Sequence, residues 1–208
     1  GKSAMETVDY CGDRDSRLTK LVSSGHRKLP SLEKFGLDEI ANNINTEMKG
    51  NTFAELNSSH QTFLQNIGLH QKLTPKLFEI ARDLLGYKGD ISSQYHVARY
   101  VEPGNSKEMF RAHFDSHLFT MVLPVKIPKA ASGGTAGELI YFPNSRKPPK
   151  NEISNFIGKA YHKRFASKDG LENFAKSHKQ YIDDFQDYSP LLFIGNTTLH
   201  TNRQVSLG

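Results

Sequence analysis

Tyr95-His96-Val97-Ala98-Arg99-Tyr100-Val101, Phe110-Arg111-Ala112-His113-Phe114-Asp115 and Leu118-Phe119-Thr120-Met121-Val122-Leu123-Pro124-Val125-Lys126-Ile127 follow one another in the middle of the chain. Each run is short, rich in aromatic, aliphatic and β-branched residues, and set off by turn formers such as Glu102-Pro103-Gly104-Asn105. That texture predicts strands. Glu138-Leu139-Ile140-Tyr141-Phe142, Leu191-Leu192-Phe193-Ile194 and Thr198 to Leu207 read the same way. Upstream the period changes. Phe35, Leu37, Ile40, Ala41, Ile44 and Met48 recur at helical spacing up to Gly50. Thr74-Pro75 offers a cap and a favoured first helical residue before Leu77, Phe78, Ile80, Ala81, Leu84 and Leu85, with Gly86 as the stop. Helices first and antiparallel strands after predict an α+β fold, with helices backing a sheet that folds on itself.

A chain of 208 residues and 23.4 kDa fits one domain with a sizeable core. The expected organisation is a single domain over 1–208. Residues 1–92 are mainly helical support, and 93–208 form the β core. Between Pro143 and Pro190 the chain is long and polar, with a helical patch at Leu171, Phe174, Ala175 and His178. A connection longer than usual between two strands predicts an insertion over 143–190 that covers a site.

Composition narrows the class. Hydrophobic residues make up 37% and charged residues 24%, ordinary for a folded soluble protein. No apolar run is long enough to predict a membrane span, and no secretory signal is visible. Cys11 is the single cysteine, so an intrachain disulfide is impossible and a thiolate zinc cage is excluded. A reducing compartment, the cytoplasm, is the expectation. The net charge of +5 is scattered, and basic residues do not alternate with aromatics in a stripe. Nucleic acid is therefore not the expected partner, and a small anionic ligand suits the excess equally well.

His113-Phe114-Asp115 carries the chemistry. Residues two apart on a strand share a face, so an imidazole and a carboxylate project side by side while Phe114 faces away. They offer two ligands to a divalent metal, and His200, in Thr198-Leu199-His200-Thr201, offers a third. Two histidines and one carboxylate on one face leave positions open, the arrangement of non-haem Fe(II) oxygenases. For the tripeptide alone, a surface His beside a surface Asp is the simpler reading, since the chain has nine histidines.

The ordered surroundings reverse that preference. From Tyr95 to Gly208 the chain resembles the Fe(II)- and 2-oxoglutarate-dependent dioxygenases, in their prolyl-hydroxylase-like branch. The likeness starts at Ala98-Arg99-Tyr100-Val101-Glu102-Pro103-Gly104 and continues through His113-Phe114-Asp115 and the strand with Thr120. It then takes in Gly137-Glu138-Leu139-Ile140-Tyr141-Phe142-Pro143, Leu192-Phe193, and His200 with Val205 and Gly208. The resemblance implies a double-stranded β-helix of the jelly-roll or cupin-like kind. It implies an oxygenase that holds Fe(II) through His113, Asp115 and His200, and uses 2-oxoglutarate and O2. The products would be succinate, CO2 and a hydroxylated small polar substrate, such as a free amino acid or a natural-product intermediate. A protein hydroxylase and a non-catalytic cupin-like metal-binding or sensor protein are the alternatives. Related halogenases have a small residue where Asp115 stands, so the carboxylate implies hydroxylation or another chloride-free oxidation.

The far carboxylate of 2-oxoglutarate needs a cation, and Arg suits it through a bidentate fork. The resemblance puts that Arg just past Val205-Ser206-Leu207-Gly208, beyond the last residue given. Lys126 and Arg203 are the candidates within the chain, Arg203 at an odd offset from His200 and so on the other strand face. Tyr100 and Thr120 could hydrogen-bond the co-substrate or simply pack. His117 would face the site only if the strand ran straight on from Asp115. Arg146, Lys147 and Lys150 read as solvated loop charges or as a lid over an anionic substrate. His26, His60, His70, His96, His162 and His178 have no partner at ligand spacing and read as structural.

Overall fold

The helical spacing of the first third becomes helices, and Gly36 decides where one of them starts. In the computed structural model, which describes residues 16–91, 94, 96–99, 112–128, 137–148 and 168–202, α1 is Ser16–Ser24, α2 Leu37–Met48, α3 Gln61–Asn66 and α4 Thr74–Leu85. The helix expected from Phe35 is divided: Glu33–Phe35 forms a 3-10 turn, and Gly36 at φ 69° separates it from α2. A left-handed residue cannot continue the helix, and glycine takes that conformation without a Cβ clash. Thr74 is not a cap. A π-helical turn at Leu69–Leu73 runs straight into α4, so Thr74 is already helical at φ −55°. Pro75 is tolerated there because it lies in the first turn, where its missing N–H matters least. Gly86 ends α4 in the left-handed conformation, as read.

The strands are β1 His26–Lys28, β2 Phe53–Glu55, β3 Val97–Arg99, β4 Phe119–Val122, β5 Leu139–Phe142, β6 Tyr181–Asp183, β7 Leu191–Ile194 and β8 Leu199–Asn202. Every pairing is antiparallel. One sheet has the order β1-β7-β4, a second β6-β5-β8, and β2-β3 is a ribbon, with no closed barrel among the described residues. The fold is α+β.

Period-two alternation splits the two central strands between layers. Leu192 and Ile194 of β7 join Leu18, Leu21, Ile40, Phe63, Ile67 and Leu73 from the helices. Leu191 and Phe193 point the other way and meet Leu139 and Tyr141 of β5. On β5, Ile140 and Phe142 face outward again, onto Phe114, Leu199 and the Leu171 and Phe174 side chains of α5, Lys168–Ala175. The order is thus helices, sheet, sheet, α5, and every residue of β5 and β7 is buried. Each such aliphatic or aromatic side chain contributes about 1.5–3 kcal/mol on burial, enough to make the stacking of the sheets a main source of stability.

Two features add to the expected organisation. The first third is not only helical: β1 joins β7 in the first sheet, and β2 carries the ribbon with β3. The segment 143–190 does hold a helix, but it is not merely a cover. Its Tyr181–Asp183 pairs with β5 as β6, and α5 fills core space against Phe142.

Candidate metal centre

His113 and His200 are brought together by backbone before side chains are considered. The two residues form an isolated antiparallel bridge, each N–H donating to the other's carbonyl at 3.1 Å. Both imidazoles then stand on one side, their ring centroids 4.3 Å apart. Two residues on, Asp115 donates its N–H to the Gly195 carbonyl at 3.0 Å, and Gly195 donates to the Leu118 carbonyl at 2.7 Å. The chain that leaves His113 is thereby fastened to the β7–β8 turn.

The three side chains converge on one oxygen. Asp115 Oδ1 lies 3.3 Å from His113 Nε2 and 3.5 Å from His200 Nε2. One ligand atom from each residue can be chosen so that all lie within 4.8 Å of one another. Neighbouring ligands at about 2.1 Å from an octahedral ion lie about 3 Å apart, so the donor set is at coordination spacing. His200 is fixed in the tautomer a metal needs. Its Nδ1 is 2.9 Å from the Thr198 carbonyl, which only accepts, so Nδ1 carries a hydrogen and Nε2 is the nitrogen that faces Asp115 and that, on losing its proton, would ligate a metal. The ring also packs on Phe193, centroids 4.9 Å apart.

The second carboxylate oxygen is occupied. Thr120 Oγ1 donates to Asp115 Oδ2 at 2.5 Å, and His117 Nε2 is 2.8 Å from the same hydroxyl and 3.5 Å from Oδ2. Asp115 is thus arranged to offer Oδ1 alone. Burial is the largest influence on its carboxyl and pushes it up. The hydrogen bonds from His113 and His200, the charge of His200 and the Thr120 hydroxyl together outweigh burial and hold it well below the usual carboxylate range. Asp115 and His200 are mostly buried, with side-chain exposures of 14% and 10%, whereas His113 is 54% exposed, so the site opens on the His113 side.

Sequence reading missed two supports and underrated a third residue. A Cβ on Gly195 would lie 2.6 Å from Thr120 Oγ1 and 3.0 Å from both Asp115 Cβ and the His117 carbonyl. The absence of a side chain there lets the turn lie against the carboxylate. Arg146 is not a loose solvated charge. Its Nε donates to the Asn196 carbonyl at 2.7 Å, and its guanidinium lies 4.0 Å over the Phe114 ring, behind the two ligands. His117 reaches Asp115 because the chain bends at residues 116–118 and turns the ring back.

Of the other candidates, Thr120 is at the site, bound to Asp115. Lys126 lines a recess with Glu33, Gly36, Leu37, Asp38, Val125 and Tyr188, a set that includes none of the three ligands. Tyr100, Arg203, Lys150, Cys11, the Pro103-Gly104 turn and the Val205 to Gly208 segment lie outside the described residues. No helix among the described residues is long and apolar enough to cross a membrane. Set against protein-family models, curated proteins and solved structures, the chain finds no match in any of the three.

Proposed function

We propose that the chain is an Fe(II)- and 2-oxoglutarate-dependent oxygenase that hydroxylates a small polar molecule, such as a free amino acid or a natural-product intermediate. The observation that carries this reading is the convergence of His113 Nε2, His200 Nε2 and a single oxygen of Asp115 at coordination spacing. The same reading takes the two stacked three-stranded sheets as the halves of a double-stranded β-helix. It is supported by the β4–β7 and β5–β8 pairings and by the position of His200 on β8.

The donor chemistry fits iron. Two neutral imidazoles and one carboxylate leave a dication at about +1, which favours an anionic chelator, and they leave positions open for it and for O2. When bound, iron supplies the O2 chemistry that couples decarboxylation of the co-substrate to oxidation of the substrate: 2-oxoglutarate, O2 and R–H become succinate, CO2 and R–OH. The chain's residues prepare for that. Thr120 holds Asp115 to one-oxygen binding, Thr198 sets the His200 tautomer, and Phe193 shields the His200 ring from water. Asp115 fills the place a halide would need. Within the chain, Arg203 stays the proposed anchor for the far carboxylate, with Tyr100 as a hydrogen-bonding partner, whereas Lys126 lies in a recess lined by none of the three ligands.

A protein hydroxylase is the second reading, favoured by the exposure of His113, which leaves the site within reach of a peptide. The test is aerobic incubation with Fe(II) and 2-oxoglutarate against panels of amino acids and peptides, quantifying succinate. Substrate-dependent succinate that is lost in His113→Ala supports an oxygenase, and the panel that responds separates the two substrates. Tight metal binding without succinate from any panel overturns it in favour of a non-catalytic cupin-like metal-binding protein.

A further inference from the structure

The turn that leads into His200 is gripped by Asn144, Ser145 and Arg146, of which only Arg146 drew attention in the sequence. The three residues follow β5 closely and lie against residues 196–199, between β7 and β8. Arg146 Nε donates to the Asn196 carbonyl at 2.7 Å. Thr197 Oγ1 donates to Asn144 Oδ1 at 3.0 Å, and Asn144 Nδ2 donates in turn to the Val22 and Ser23 carbonyls of α1, at 3.2 and 3.3 Å. The Ser145 N–H donates to the Thr197 carbonyl at 2.7 Å.

Between these two fixed neighbours, the buried Ser145 side chain uses both roles of its hydroxyl. It accepts the Leu199 N–H at 3.1 Å and donates to the Thr197 carbonyl at 3.3 Å. The Leu199 N–H and the Thr198 carbonyl belong to one planar peptide unit, so fixing the first aims the second. That carbonyl accepts the His200 Nδ1–H at 2.9 Å. The Ser145 hydroxyl and the His200 ring therefore stand at the two ends of one hydrogen-bonded peptide. Thr198 and Leu199 are both 0% exposed, so solvent does not reach this peptide in the folded chain.

We propose that Ser145 is a positioning residue for the metal centre: through the Thr198–Leu199 peptide it holds the His200 ring in the form that leaves Nε2 to the metal. The inference rests on the reading of His200 as a ligand and goes beyond it in naming the side chain that sets that ligand. Without the hydroxyl, the buried Leu199 N–H loses its acceptor, a cost that the chain relieves by rotating the peptide unit. The Thr198 carbonyl then turns away from Nδ1. Neutral His200 now does better with its hydrogen on Nε2, where Asp115 Oδ1 stands 3.5 Å away as the acceptor. In that tautomer the nitrogen facing the ion has no lone pair to give, and the neighbouring carboxylate oxygen is engaged as well. Outer partners that set the tautomer of a ligating histidine ordinarily account for about 10–100-fold in metal affinity.

The test reads the ring before the metal. In the full metal-free chain at about pH 8.5, where an ordinary imidazole is neutral, 15N NMR of His200 distinguishes the two tautomers. The unsubstituted protein should show Nδ1–H. Ser145→Ala should shift the population towards Nε2–H and weaken Mn(II) binding in calorimetry under nitrogen by about 10–100-fold. Ser145→Thr, which keeps the hydroxyl, should restore both. Leu64→Ala, in the core formed with the helices and outside this relay, should lower the melting temperature and leave the tautomer unchanged, which tells a merely structural loss apart. If Ser145→Ala does not fold, Ser145→Cys fills the same space with a weak acceptor and should move the signals in the same direction. An unmoved Nδ1–H tautomer in the folded variant overturns the role of Ser145 alone. Absence of Mn(II) binding by the unsubstituted chain overturns the ligand reading of His200 and, with it, this role.

Discussion

His113 and His200 exchange both of their backbone hydrogen bonds, each at 3.1 Å, so the two imidazoles are registered by main chain and not by each other. Truncating either ring therefore leaves the bridge standing. His113→Ala removes a half-exposed ring but also its contact with the buried Asp115 carboxylate, and should cost the metal-free protein about 0.5–1.5 kcal/mol. His200→Ala removes a buried ring packed on Phe193 and should cost about 1–3 kcal/mol. Both should bring Mn(II) binding under nitrogen close to background in calorimetry. Full affinity in either variant contradicts the ligand assignment.

Asp115→Ala should abolish substrate-dependent succinate. Two neutral ligands hold a dication weakly, and Thr120 Oγ1 loses its acceptor. Chloride has room to bind in this variant, but a halogenated product also requires a substrate held in the right place. Near-normal hydroxylation by Asp115→Ala refutes the facial set.

Gly195 has a role that only the assembled structure reveals. A methyl group there meets Thr120 Oγ1 at 2.6 Å and Asp115 Cβ at 3.0 Å, with rigid backbone at His117 on the third side. Gly195→Ala should destabilise by about 1–3 kcal/mol, the usual cost of overpacking, and weaken metal binding by displacing the carboxylate. Removing the hydroxyl relieves one of the close contacts. Urea unfolding of the Gly195→Ala/Thr120→Ala pair should therefore show less destabilisation than the sum of the single changes, whereas strict additivity would falsify the contact.

What was legible in the sequence follows from the range of each interaction. His113 and Asp115 were visible because their relationship is local and obeys the strand period. The strands at Leu139–Phe142 and Leu191–Ile194 were visible because both faces are buried, which makes the run wholly apolar. His26-Arg27-Lys28 carries no such signal: β1 is a strand because its backbone pairs with the apolar β7. Tyr181-Ile182-Asp183 is hidden likewise, with Ile182 pointing to solvent and Asp183 paired with Lys28. Gly195 works through the space it leaves, Arg146 through a carbonyl and an aromatic ring distant in sequence, and His117 through a bend. The meeting of His60 and His96, whose facing ring nitrogens lie 2.8 Å apart, depends on the packing of separate elements. None of these has a period.

The helix α5 gives a test of the segment between Pro143 and Pro190. Phe174 is 3% exposed and meets Phe142 edge to face at 5.0 Å, and His178 stacks on its other side at 3.9 Å. Phe174→Ala should cost about 3–5 kcal/mol in urea unfolding, as for other buried phenylalanines. A separable cover would lose much less, and a cost under about 1 kcal/mol would return this helix to that role.

Acid should destabilise the metal-free protein in two separate windows. His26 is pushed below the ordinary imidazole value by burial, with Lys179 adding to it, and His60 and His96 are lowered mainly by burial. For each, the unfolded chain takes up protons near about pH 6.5 while the folded chain resists. Their stabilising effect is complete above about pH 6.5 and is lost as pH falls through the lower folded values. Asp115 is also depressed, but from a carboxylate reference of about 3.9, so its contribution persists through this first window and declines only at lower pH. Urea unfolding in the presence of chelator should therefore show stability falling from about pH 6.5 downward, then a further fall below about pH 4. His60→Phe should flatten the first decline and leave the second, whereas Asp115→Asn should do the reverse. Stability that rises as pH is lowered through the first window would show that these imidazoles gain charge on folding, the opposite of what their burial dictates.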